Sequence, residues 1–124
     1  FLNPHPMGFT NTVVCSNNGT KTIFVSGQVG YADGRVGESF EEQAQIAYAN
    51  LVRELESAGA SVNDVVKLNT YVVDLDRDKS KANRQAKDRY FSQNDQPAST
   101  MIGVSALVMR ELLIEVEATA MMND

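Results

Sequence analysis

Between Ser39 and Gly59 the apolar residues Phe40, Ala44, Ala47, Leu51, Leu55 and Ala58 recur every three or four positions. That spacing puts them on one face of a helix, and a helix of this kind is stable only against a second layer. Ser39 with Glu42 predicts a capping box at its start, and Gly59 its stop. On either side the period changes to two. Asn11 to Cys15 and Thr22 to Val29 are rich in Val, Ile, Thr and Phe, and Ser16-Asn17-Asn18-Gly19-Thr20 between them predicts a β-hairpin. Asp33-Gly34 marks another turn. Val66, Leu68, Thr70 and Val72 alternate with Lys67, Asn69, Tyr71 and Val73, which predicts a strand over Val65 to Val73. A second helix with a thin apolar stripe is expected over Ser80 to Phe91, and strands over Thr100 to Ser105 and Leu112 to Met121 close the chain. The order ββαβαββ describes an α+β fold with two helices packed on one face of a mostly antiparallel sheet.

The sheet's other face needs a cover of its own. Val104 to Val108 and Leu112 to Val116 are apolar on both alternations, more than a small one-faced sheet buries alone, so self-association is expected. At 124 residues and 43% hydrophobic the chain forms one domain, 1-124, with 1-7 expected as a flexible leader. Its formal charge of -5 argues against nucleic acid as the main partner, because that affinity is carried by Lys and Arg neutralising phosphates. A lone Cys15 cannot form an internal disulfide. No basic start with an apolar core marks a secretory signal, and no apolar run approaches a membrane span of roughly 18 residues. A cytoplasmic protein without a membrane partner is the expectation.

Residue counts reject several common sites. His5 and Cys15 lie in separate segments and offer no metal-ligand spacing, so no metal is expected. Asp74-Leu75-Asp76-Arg77-Asp78 begins like a calcium loop, yet the sixth position is Lys79 rather than Gly and the twelfth is Gln85 rather than Glu. A Ser-His-Asp triad would have to draw on His5 in the leader. Gly27-Gln28-Val29-Gly30 lacks the glycine spacing of a nucleotide loop. The pair Glu115 and Glu117 remains. Period two puts both on one face of a strand, where two like charges raise each other's pKa; this suits a general base, and it also suits two carboxylates lining a wet interface.

Three segments carry a resemblance: Ser26-Gly27-Gln28, Pro97-Ala98 and Ile114-Glu115-Val116-Glu117-Ala118. In this order, and with the helix and strand plan above, the chain from Gly8 through Ala118 resembles the RidA-type (YjgF-like) reactive-intermediate deaminases. The resemblance implies a chorismate-mutase-like fold, a homotrimer around a central barrel, and a small-molecule ligand in an intersubunit cleft. It implies cofactor-independent hydrolysis of imines or enamines, with Glu115 as the residue that activates water. Ser26, Gly27 and Gln28 would then line the substrate at a strand end, Phe9 stands where those deaminases place a tyrosine, and Met101 stands where relatives often carry a cysteine. Ser99 occupies the position of the arginine that clamps the substrate carboxylate. One neutral hydroxyl in place of a charged fork should weaken carboxylate binding at least about tenfold. Arg84, on the second helix, is the candidate to replace it. Two functions follow: an imine or enamine hydrolase of altered specificity, or a trimer that binds a small metabolite or docks a partner without chemistry.

Overall fold

A computed structural model describes residues 1–124. Strands β1 (Leu2–His5), β2 (Phe9–Asn17) and β3 (Thr20–Val29) are followed by a two-residue ribbon, β4 (Tyr31–Ala32) and β5 (Arg35–Val36), and by helix α1 (Phe40–Ser57). A 3-10 turn (Val62–Asp64) leads into β6 (Val65–Val73), then come α2 (Arg77–Lys87), β7 (Ala98–Val104) and β8 (Ile114–Asn123). The main sheet runs β1-β2-β3-β8-β6-β7. All its neighbours are antiparallel except β6 and β7, which α2 connects as the crossover a parallel pair requires. Both helices lie on one face, α1 over β3 and β8 with α2 beside it.

Each element follows from its residues. Asn18 and Gly19 take positive φ at the tip of the β2–β3 hairpin, as do Asp33 and Gly34 between β4 and β5. The six apolar residues of the α1 stripe are all buried. They meet Ile23, Leu68, Val72, Ile114, Val116 and Ala120 from the sheet, alternate residues of three strands. Gly59, at φ +81, ends α1, with Gly59 N–H donating to Glu56 O and Ala60 N–H to Leu55 O. Tyr48 joins the helices: its ring meets Phe91 edge to face at 6.5 Å and its hydroxyl donates to Asn83 Oδ1 at 2.6 Å. Burial pushes its pKa up to about 12. Tyr48→Phe leaves the buried Asn83 oxygen without its donor and should lower unfolding free energy by about 1–3 kcal/mol in a urea titration.

Several expectations need correction. The flexible leader is instead a strand: Leu2 pairs with Thr12 and Pro4 with Thr10, and the Asn3 side chain donates to Glu54 Oε2 (2.7 Å) and Ser57 Oγ (3.1 Å). Only half of the α1 capping box forms. Ser39 Oγ accepts from Glu42 N–H, but the Glu42 carboxylate turns to Arg35 at 2.6 Å. Helix α2 starts earlier than expected because Asp76 caps it, accepting from Lys79 N–H at 2.8 Å. Val66 points away from the core because the β6–β8 register shifts between Val65 and Lys67. The face away from the helices leaves Phe24, Ile102 and Met121 nearly half exposed.

Candidate functional site

The site grows from a defect in the β3–β8 ladder. Val25 pairs with Ala118 and Gln28 with Val116, so Ser26 and Gly27 together oppose Glu117. This is a β-bulge, which bends the strand and re-aims what faces it. Local side chains hold it in place: Ser26 Oγ donates to Thr10 O at 2.6 Å, and Gln28 Nε2 donates to Asn11 Oδ1 at 3.0 Å and Ser26 O at 3.1 Å. The Ser26 hydroxyl and the Gln28 amide nitrogen are therefore committed to the bulge. Gly27 is required for a different reason. A Cβ there would lie 2.5 Å from both Cδ and Oε2 of Glu115.

Glu115 and Glu117 share a face, as expected, but their surroundings differ. Glu117 Oε1 accepts from the Tyr71 hydroxyl and from Asn69 Nδ2 (3.3 Å). Tyr71 is held above its ordinary pKa, chiefly by that bond. Glu115 has no such donors. Burial, and then the charge of Glu117, push its carboxyl above the ordinary range. One carboxylate is anchored, and the other is left basic.

A raised folded-state pKa means that the fold disfavours ionised Glu115. The stability linked to this group is present below the ordinary glutamate pKa, about 4.3, and is lost as pH rises through the raised value. Glu115→Gln, neutral throughout, should therefore melt at a higher temperature than wild type near pH 7. The gap should close by about pH 4. Melting curves across that range check this.

A cleft of about 600 Å³ opens over this carboxylate. Its base is Gly27, Val29 and Glu115. One wall is the turn between β1 and β2, where His5 and Phe9 stack at 4.5 Å with their planes 11° apart and Met7 lies beside them. His5 Nδ1 accepts Met7 N–H at 3.2 Å. Tyr31 of β4 and Val108, Met109 and Leu112 from the loop between β7 and β8 complete the lining.

Buried Gln43 of α1 anchors that loop. Its amide nitrogen donates to Gly37 O (3.1 Å) and Glu111 O (2.9 Å), and its oxygen accepts Leu113 N–H at 2.8 Å. Gln43→Leu strips partners from three backbone groups at once. It should destabilise the chain by about 3 kcal/mol, measured by urea denaturation.

The expected site residues divide into two sets. Phe9, Ser26, Gly27 and Glu115 meet in the cleft, with Gln28 supporting it from the helix side. Ser99 and Met101 do not join them within one chain. They pair with Leu68 and Thr70 on the outermost strand, β7, and so share the helix-facing side of the sheet, opposite Glu115. Arg84 is exposed on α2, outside the cleft. The sequence reading missed His5, Met7 and the apolar wall; the double apolar alternation of Val104 to Val108 was its trace. No group of three or more His, Cys, Asp or Glu side chains converges as a metal site. No helix is long and apolar enough to cross a membrane.

A family model described as endoribonuclease L-PSP matches residues 4–122. A RutC family protein of Pyrococcus abyssi is 37% identical over 121 residues, covering 94% of this chain and 89% of that protein. A 2-iminobutanoate/2-iminopropanoate deaminase of Dermatophagoides farinae is 30% identical over 120 residues, covering 94% and 88%. The crystal structure of RidA from an Antarctic Psychrobacter superposes with a TM-score of 0.80 at 28% identity, over 94% of this chain and 91% of that one.

Proposed function

The chain belongs to the YjgF/RidA-type (endoribonuclease L-PSP) family, and from that premise we propose that it hydrolyses reactive imine or enamine intermediates to a carbonyl compound and ammonia, without a cofactor and with altered substrate specificity. The observation that carries this reading is Glu115. It is a half-buried carboxylate without a donor of its own, pressed against a glycine bulge at the base of a cleft.

The chemistry asks little else of the protein. Glu115 takes a proton from water as the oxygen adds to the C=N carbon, giving a carbinolamine. The protonated carboxyl then returns that proton to nitrogen. The C–N bond breaks as the carboxylate takes up the hydroxyl proton, the hydroxyl oxygen becomes the carbonyl, and ammonia leaves carrying that proton as ammonium. A carboxylate whose pKa is raised by burial holds the proton more readily than an ordinary one, which suits both directions of this transfer. Because imines hydrolyse readily unaided, positioning and one polarised water suffice.

A homotrimer with clefts at its subunit interfaces is part of the proposal. Ser99 and Met101 lie on the free edge strand β7, and only a neighbouring chain can carry them to a Glu115 cleft. The exposed Phe24, Ile102 and Met121 offer that neighbour an apolar face. A cytoplasmic location completes the reading. The deaminase named among the relatives supports it by analogy. Ribonuclease activity, which the family description names, has less support here, since the net charge is -5 and no Lys or Arg lines the cleft.

The second reading is a trimer that binds a metabolite or docks a partner without chemistry, favoured by Ser99 standing where the resembled deaminases place arginine. Ammonia release and imine decay, followed with imines generated in situ by an oxidase, separate the two. Acceleration above the protein-free rate supports hydrolysis. Silence on every imine, with a ligand-induced rise in melting temperature, supports binding alone.

A further inference from the structure

We infer that the cleft is built for apolar imines that carry no carboxylate, taken in their protonated iminium form. This rests on the reading of Glu115 as the water-activating base. The cleft holds one carboxylate, Glu115, and neither lysine nor arginine faces it. His5 stands in its wall with Nδ1 accepting the Met7 N–H at 3.2 Å. An imino acid placed here would set its own carboxylate beside Glu115 with no cation between them. An iminium would be drawn to the same group.

The second line of argument is shape. About 600 Å³ is far more than a three- or four-carbon imino acid fills, and it lies within the range of pockets for larger ligands. Its walls are Met7, Phe9, Tyr31, Val108, Met109 and Leu112, so a ligand gains by burying a sizeable hydrocarbon or ring. Phe9 sits in a face-to-face stack with His5, presenting aromatic surface but no hydroxyl.

Ser99 agrees from another direction. On its free edge it offers a single neutral hydroxyl in place of a charged fork. The balanced reaction is an iminium plus water giving a carbonyl compound plus ammonium. Glu115 is ionised at the start and at the end.

A matched pair of substrates tests this. Phenethylamine and an amine oxidase generate 2-phenylethanimine, while phenylalanine and an amino-acid oxidase generate the same imine skeleton bearing a carboxylate. The expected result is a kcat/KM at least tenfold higher for 2-phenylethanimine. Calorimetry should show phenethylammonium binding at least tenfold more tightly than 3-phenylpropanoate, with Glu115→Gln removing that preference. Faster hydrolysis of the imino acid would overturn the inference while leaving the hydrolase reading intact. Silence on both imines with phenethylammonium preferred would overturn the hydrolase reading and keep the ligand class. Preference for 3-phenylpropanoate would overturn the ligand class in either case.

Discussion

Gly27→Ala should fold and melt almost as wild type does, yet lose about 10²-fold or more in imine hydrolysis. The added Cβ would come within 2.5 Å of the Glu115 carboxylate carbon and one of its oxygens, and 2.8 Å of its Cγ. Those atoms are the far end of a flexible side chain, so the side chain swings away and the backbone stays. Gly27 is not at positive φ, so alanine adds no backbone strain there; restricting the unfolded chain offsets part of any cost, by about 0.4–1 kcal/mol. The bulge keeps its ties through Ser26 and Gln28. A displacement of the base by an ångström or more is what remains, and it should appear in kcat rather than in the melting temperature. Loss of both together would mean that the glycine serves packing alone.

Glu115→Gln should lower kcat on imines by about 10²- to 10⁴-fold, the range for removing a positioned proton-transfer group. The amide keeps the shape and removes the basic lone pair. The substitution separates chemistry from fold cleanly, because the same change relieves the penalty on a buried charge and should raise the neutral-pH melting temperature. Higher stability with lower activity is the signature of a group held in an unfavourable state for function. Glu117→Gln provides the contrast. Its partners Tyr71 and Asn69 hold Glu117 for structure, so that variant should lose stability rather than chemistry.

The parts of this fold written in local periodicity were legible in the sequence. The α1 stripe and the limits of β6 follow from spacing alone, and the β2–β3 turn from Asn18-Gly19. What depended on pairing was not. Leu2 to His5 contains a proline and an Asn at φ 58, and it reads as a loop until its partner β2 is known. As an edge strand it tolerates Pro4, whose missing donor no further strand needs.

The same limit applies to the site. Ser26-Gly27-Gln28 and Glu115 stand out through resemblance, but the two-against-one register that aims Gly27 at Glu115 exists only across two strands whose residues 27 and 115 lie 88 positions apart in the chain. Ser99 and Met101 were grouped with Glu115 by family pattern. The parallel β6–β7 register puts their side chains on the opposite face of the sheet. The surplus apolarity near Val108 suggests self-association from the sequence; within the chain, Val108, Met109 and Leu112 line the cleft.

The most direct test of Glu115 as the base is the pH profile of kcat/KM for imine hydrolysis, corrected for the uncatalysed rate, in wild type and in Glu115→Gln. The account predicts a wild-type rate that climbs with pH through an apparent pKa above the ordinary glutamate value of about 4.3, and a variant in which that limb is gone. An unchanged limb in Glu115→Gln would assign the proton transfer to another group and contradict the account.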